Sequence, residues 1–162
     1  MQLDFFYHRY ANLLVEKDPT FQSDYNELMS VINSISDQDL IETFNQRKTE
    51  RTNIKSLSEP INSLLKIRLT QLGWKSESSL FKEPPYNQGN RSRWRLDFAK
   101  NKISIEVAFN HQEATAHNIM KPVLASELNH VKKDIQTRMG VIIVATEKMK
   151  NAGNFDSAIG TF

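Results

Sequence analysis

The chain has 162 residues, of which 39% are hydrophobic and 25% charged, which is enough for one compact domain with its own core. It contains no cysteine, which excludes a disulfide framework and cysteine-based metal or redox chemistry. No apolar run approaches the ~20 residues that span a bilayer, and the first residues lack the basic and apolar regions of a secretion signal. We therefore expect a soluble, cytoplasmic domain.

The net charge of +2 hides an asymmetry along the chain. Residues 1–50 carry 4 Lys and Arg against 9 Asp and Glu, whereas residues 51–162 carry 17 against 10. This favours a division at about residue 50 into an acidic N-terminal region and a basic remainder. A basic surface attracts polyanions such as nucleic acid, although two differently charged solvated faces would give the same composition.

The N-terminal region is expected to be helical. Apolar residues at three- and four-residue spacing predict a first helix from Leu3 to Leu14. A loop at Asp18-Pro19 should interrupt it. Asp24 and Ser36 are then the expected caps of two further helices. The polar residues 45–53 would form a linker or an exposed helix end.

A fourth helix is better marked by its end residues. Ser58 is its expected cap, Pro60 suits its first turn, and Gly73 should end it. The segment from Trp74 onward is expected to be a short strand. These signals place the start of a second structural unit shortly after residue 50.

The most informative block follows this helix. Residues 93–99 and 103–109 alternate as strands do, and the short segment between them predicts a β-hairpin. Residues 112–134 suit a long helix that Pro122 should break or kink. The apolar run 140–145 is typical of a strand buried on both faces. Helices packed on a mixed sheet are therefore expected, with Asn154 opening a last helix.

Two carboxylates in the hairpin could carry chemistry. Asp97 lies in the first strand and Glu106 in the second, so a tight hairpin would bring them side by side on one face. Adjacent carboxylates repel each other and raise one pKa, a conflict that a divalent cation removes. Oxygen ligands without cysteine favour Mg²⁺. The alternative is two solvated carboxylates on a half-exposed strand.

Five cations surround Asp97 and would suit contacts with phosphodiester groups of nucleic acid, with Trp94 as a possible stacking group. A solvated hairpin edge protected by charge is the alternative interpretation. The five candidate DNA-binding residues are Arg91, Arg93, Arg95, Lys100 and Lys102.

This arrangement resembles the core of the PD-(D/E)XK nuclease superfamily, and most of all type II restriction endonucleases of the BglII/BstYI kind. The resemblance rests on Gly73-Trp74, on Leu96-Asp97-Phe98 and Ile103–Val107 in the hairpin, and on the buried strand at 140–145. It covers roughly residues 56–146. It implies an α/β fold, an α+β mixed sheet with a restriction-endonuclease-like core, to which the N-terminal helices are added.

The resemblance also implies a function. It predicts a Mg²⁺-dependent deoxyribonuclease that hydrolyses a short, specific site in double-stranded DNA, with a GATC-centred palindrome as the first site to try. A palindrome cut on both strands calls for a homodimer. Residues 1–50 would serve dimerisation or bracing, and residues 51–162 would form the nuclease core. Because the chain stops shortly after an expected helix start, this core could be truncated.

Carried over by residue, the resemblance makes Asp97, Glu106 and the main-chain carbonyl of Val107 the metal ligands. Glu59, early in the fourth helix, matches the place of a further acidic residue in some members, although a helix N-terminus favours Glu in any case.

The sequence departs from the family pattern at one position, because Ala108 stands where the usual lysine is expected. Asn110, His111 or Lys121 could supply the missing polar group. Loss of activity is the other reading, which leaves an inactive nuclease-fold DNA-binding module as an alternative function. A helical protein-interaction domain with an accidental hairpin match is a third.

Overall fold

The computed structural model describes residues 3–51, 53–84, 94–109 and 114–155. Its helices are α1 (Ala11–Lys17), α2 (Pro19–Ser34), α3 (Asp37–Glu50), α4 (Ser58–Gln71), α5 (Thr115–Glu127) and α6 (Glu147–Gly153). Its strands are β1 (Lys75–Ser79), β2 (Arg95–Lys100), β3 (Ile103–Val107) and β4 (Met139–Ile143). In the described part of the chain, no helix combines the length and the apolar character needed to cross a membrane.

The four strands form one mixed sheet in the order β1-β2-β3-β4. The pairs β1–β2 and β2–β3 are antiparallel, whereas β4 lies parallel to β3. A parallel partner needs a crossover connection, and α5 lies in that connection and packs against β3 and β4. The predicted mixed sheet and its hairpin are confirmed.

The start of the first helix was predicted wrongly. α1 begins at Ala11 instead of Leu3, because Arg9 and Tyr10 adopt positive φ angles of 49° and 58°, which a right-handed helix does not contain. The apolar spacing before Ala11 does not mark a buried face either. Phe6 is 96% exposed and Tyr10 is 78% exposed.

The cap of α2 is Asp18, and the prediction that Asp24 caps this helix is wrong. The Asp18 carboxylate accepts a hydrogen bond from the N–H of Thr20 at 2.9 Å, and Pro19 occupies the first helical position, where its lack of an N–H costs nothing. Asp24 lies inside the helix and is buried. Ser36 does cap α3, through reciprocal hydrogen bonds with Asp39.

The ends of α4 largely follow the sequence signals. Pro60 lies in its first turn as expected, and Gly73 follows its last turn with a φ of +84°, a conformation that favours glycine. Ser58 is the first helical residue and not the cap, which is Leu57 without a side-chain hydrogen bond. The hydroxyl groups of Ser58 and Ser56 pair with each other instead.

The hairpin turn contacts acidic side chains of α2 and of its N-cap. The amide of Asn101, whose φ is +46°, donates to both carboxylate oxygens of the buried Asp24 at 3.0 and 3.2 Å. Lys100 forms an ion pair with Glu27 at 2.6 Å and Lys102 one with Asp18 at 3.2 Å. These contacts fix the turn between β2 and β3 against the N-terminal helices.

One hydrophobic cluster joins both predicted regions of the chain. Side chains of α2 and α3, such as Leu28 and Leu40, belong to the same buried cluster as Leu65 of α4 and Ile105 of β3. The N-terminal helices therefore pack directly on the sheet and on α4.

The C-terminal elements differ in detail from expectation. α5 contains Pro122 but ends at Glu127, so the predicted extension to residue 134 is wrong. β4 is mostly half-buried instead of buried on both faces, because in the described part of the chain it pairs only with β3. Asn154 ends α6 with a φ of 54°, and residues 156–162, where a last helix was expected, lie outside the described residues.

Gly140 of β4 allows α5 to approach the sheet closely. A Cβ atom built on this glycine would overlap the Cβ atom of Pro122. The ring of Pro122 therefore rests directly on the backbone of β4, and the side chains next to it on α5 are set at a fixed height over the sheet.

Candidate active site

A polar cavity of about 190 Å³ lies against α4, α5 and the first three strands. It brings together four of the residues singled out from the sequence, the two hairpin carboxylates, Val107 and Lys121. Its lining consists of Asn62, Lys66, Ser76, Glu77, Asp97, Phe98, Glu106, Val107, Asn118 and Lys121.

The two hairpin carboxylates lie side by side, as the spacing predicted. The register that pairs Phe98 with Ile105 continues to Asp97 and Glu106 on neighbouring strands. The N–H of Asp97 donates to Oε1 of Glu106 at 3.3 Å, and the N–H of Val107 donates to Oδ2 of Asp97 at 2.7 Å. Each carboxylate is therefore oriented by the main chain of the other strand.

Burial makes this pair costly to ionise. Glu106 is only 1% exposed, and loss of hydration is the main reason why its pKa rises from 4.5 to about 7, with the neighbouring charge of Asp97 adding to the rise. Burial also raises the pKa of Asp97, against the hydrogen bond from Val107, and the charge of Glu77 contributes. The site is therefore more stable when it takes up a proton or a cation than when both carboxylates are ionised and unneutralised.

Lys121 supplies the positive charge nearest to the pair. Its ammonium group forms an ion pair with Oε2 of Glu106 and donates to the main-chain carbonyl of Arg95 at 3.0 Å. The side chain reaches the cavity from α5 and is buried, with 7% exposure. Of the three groups considered for the role of the lysine missing at Ala108, Lys121 has a described contact with the carboxylates.

Five lining residues were not singled out from the sequence. Asn62 and Lys66 come from α4, Asn118 comes from α5, and Ser76 and Glu77 come from β1. Only folding brings these elements together, so no sequence spacing relates them to Asp97. Glu77 has a φ of +52° inside a strand, which is uncommon for a residue with a side chain and typical of strained positions at functional sites.

The other sequence candidates lie elsewhere. Glu59 lines a separate cavity of about 490 Å³, where its carboxylate faces Arg51 at 3.7 Å. Lys100 and Lys102 are engaged by Glu27 and Asp18, as described for the hairpin turn. Arg91, Arg93, Asn110 and His111 lie outside the described residues.

The donor atoms of the cavity fit a hard divalent cation. Carboxylate and carbonyl oxygens are the ligands that Mg²⁺ takes in proteins, and two carboxylates with raised pKa values gain from a nearby cation. Over the described ranges, no cluster of three or more Asp, Glu or His is arranged to hold a metal ion. An ion here would therefore depend on Asp97, Glu106 and the carbonyl of Val107.

The raised pKa of Glu106 predicts how stability depends on pH. The folded protein holds a proton on Glu106 up to about pH 7, whereas the unfolded chain releases it near pH 4.5. The free energy of unfolding should therefore fall as pH rises through this window, and Asp97 acts in the same direction. Asp18 and Asp39, whose pKa values are lowered to about 2, affect the pH dependence of the free energy of unfolding only below this pH window.

Thermal unfolding in a chelating buffer measures this effect. We expect the midpoint to be about 5 °C lower at pH 8 than at pH 5 and Glu106→Gln to remove most of the difference. An equal pH dependence in the wild type and in Glu106→Gln would contradict the prediction.

A four-stranded mixed sheet flanked by helices, with a carboxylate pair on its hairpin, has the architecture of a restriction-endonuclease-like core. The sequence matches the family model of restriction endonuclease BglII/BglIII over residues 3–162. The chain therefore belongs to this family and is a nuclease of the restriction endonuclease class. The match extends beyond the resemblance seen at residues 56–146 and includes the N-terminal helices. No curated protein and no solved structure matches the chain.

Proposed function

We propose that the protein is a Mg²⁺-dependent type II restriction endonuclease of the PD-(D/E)XK kind, which hydrolyses phosphodiester bonds at a short, specific site in double-stranded DNA. The observation that carries this proposal is the pair Asp97 and Glu106, buried side by side with raised pKa values in one cavity with Lys121. Family membership supports the DNA substrate.

In this proposal Asp97, Glu106 and the carbonyl of Val107 hold Mg²⁺. The ion, when bound, supplies a Lewis acid for the phosphate and a more acidic water for in-line attack. The protein orients its ligands beforehand, because the N–H of Val107 fixes Asp97 and the N–H of Asp97 fixes Glu106. A donor set held in place by the main chain needs little rearrangement when DNA arrives.

Lys121 is proposed to take the place of the lysine missing at Ala108. Its ammonium group already lies against Glu106, so it can hold that carboxylate in its ionised form and donate to a phosphate oxygen. Asn110 and His111 remain the other candidates from the sequence. Glu59 is left out of the proposed site, because its carboxylate faces Arg51 in a different cavity.

A homodimer is proposed because one active site cuts one strand, and cutting both strands of a palindrome calls for two-fold symmetry. The N-terminal region offers exposed apolar side chains for subunit contacts. They include Phe6, Tyr10, Leu13 and Leu14. Light scattering during size-exclusion chromatography measures the subunit number directly.

Incubation of the purified protein with bacteriophage DNA and Mg²⁺ tests the function. Discrete fragments are the expected result, and their ends give the recognition site. Retarded migration of the DNA without cutting would instead support an inactive DNA-binding module, the alternative raised by Ala108. If the protein neither cuts the DNA nor retards its migration, both proposals are contradicted.

The proposed phosphate contact of Arg95 has a salt signature. Arg95 begins β2 next to the cavity. Replacement by Ala should weaken binding on all DNA sequences and reduce the slope of log K against log salt by about one unit, because one fewer counterion is released. Lys102→Ala is the matched control, since Lys102 is engaged by Asp18. Fluorescence anisotropy in a chelating buffer measures both slopes, and an unchanged slope in Arg95→Ala would contradict the contact.

A further inference from the structure

Asn118 is a buried polar side chain that faces the cavity without a partner. It is 6% exposed and lines the cavity beside the carboxylate pair. None of the hydrogen bonds among the described residues involves its side-chain amide. Among the described residues, only the hydroxyl oxygen of Thr137 is both fully buried and without a hydrogen bond, so the Asn118 amide reaches the open cavity and is available to a ligand there.

The position of Asn118 on α5 relates it to Lys121. The two residues are three positions apart, so they lie on one face of the helix and both reach the same cavity. Lys121 is already engaged by Glu106 and by the carbonyl of Arg95, whereas the amide of Asn118 is free. This face of α5 therefore presents to the cavity one cation that is already paired, Lys121, and one hydrogen-bond donor that is available to a ligand, the amide of Asn118.

We propose that the amide of Asn118 donates a hydrogen bond to a non-bridging oxygen of the scissile phosphodiester. This inference rests on the proposed function. The amide carries two N–H donors, and an anionic oxygen is the acceptor that a cleaved DNA backbone brings into this cavity. The donor is uncharged, so it can stay buried in the free protein at a lower cost than a second lysine would incur.

Such a donor makes no side-chain hydrogen bond within the described part of the free protein and acts only with substrate bound. Asn118→Leu, which keeps the size of the side chain and removes its polar atoms, should therefore not lower the thermal unfolding midpoint. It should also slow single-turnover cleavage of bacteriophage DNA by about ten- to hundredfold. Asn26→Leu, an exposed position on α2, is the matched control and should leave cleavage unchanged.

The two readouts separate the possible outcomes. An unchanged or higher midpoint together with slower cleavage supports the proposal. A lower midpoint with cleavage at the wild-type rate would show that Asn118 only supports the fold, and would overturn this inference while the proposed function stands. Absence of cleavage by the wild-type protein would overturn the proposed function, and the role of Asn118 with it.

Discussion

Asp97→Asn and Glu106→Gln should each reduce Mg²⁺-dependent cleavage by about 10³-fold or more, because each keeps the shape of the side chain and removes a charge that the divalent ion needs. Both variants should fold. The new amides can still accept from the N–H groups of Val107 and Asp97, and replacing one of two repelling carboxylates relieves part of the cost of burial.

DNA binding in a chelating buffer should survive in both variants and strengthen in at least one, since a carboxylate near a phosphate repels it when no metal is bound. Asp134→Asn provides the matched control, because the side chain of Asp134 is also largely covered, with 7% exposure, but pairs with Lys75 and Lys82 outside the cavity. It should lower the unfolding midpoint and leave cleavage per folded molecule intact. If Asp97→Asn and Glu106→Gln both cut at the wild-type rate, the proposed metal site is wrong.

Lys121→Met should reduce the single-turnover cleavage rate by about a hundredfold under the proposal that Lys121 replaces the missing lysine. Methionine keeps the length of the side chain but cannot pair with Glu106, so the pKa of that carboxyl should rise further and its affinity for Mg²⁺ should fall. Cleavage by the variant should therefore recover in part as pH and Mg²⁺ concentration increase.

Two lysines serve as controls for this substitution. Lys133 is buried as well, at 9% exposure, and donates to the carbonyl of Ala125, so Lys133→Met should affect stability without slowing cleavage. Lys66 lines the cavity from α4, so Lys66→Met shows whether any nearby cation would serve. Equal cleavage rates for Lys121→Met and the wild type would contradict this proposal and leave Asn110 or His111 as the residue that replaces the lysine missing at Ala108.

Local signals in the sequence predicted the elements that depend on neighbouring residues. Ser36 with Asp39 marks the start of α3, and Gly73 marks the end of α4, because caps and left-handed turns are decided by a few adjacent side chains. The carboxylate pair was found for the same reason. Asp97 and Glu106 belong to one hairpin, so their spacing along the chain determines their spacing in space.

Features that depend on distant elements could not be predicted. Asn118 and Glu77 reach the cavity from α5 and β1, and their approach is decided by how these elements pack on the hairpin. The apolar pattern around Phe6 predicted a helix because spacing alone does not reveal whether a face is buried. The ion pairs of Lys100 and Lys102 could not be predicted either, because their acidic partners Glu27 and Asp18 are more than seventy positions away.

The close approach of α5 to β4 at Gly140 makes the geometry of the cavity depend on a residue that does not line it. Pro122 rests on this glycine and is the next residue after Lys121, so any side chain at position 140 would lift α5 from β4. Both the ammonium group of Lys121 and the amide of Asn118 would then move away from the hairpin carboxylates. Because Gly140 has no side chain, α5 lies close to β4, and this short distance between helix and sheet lets Lys121 and Asn118 reach into the cavity.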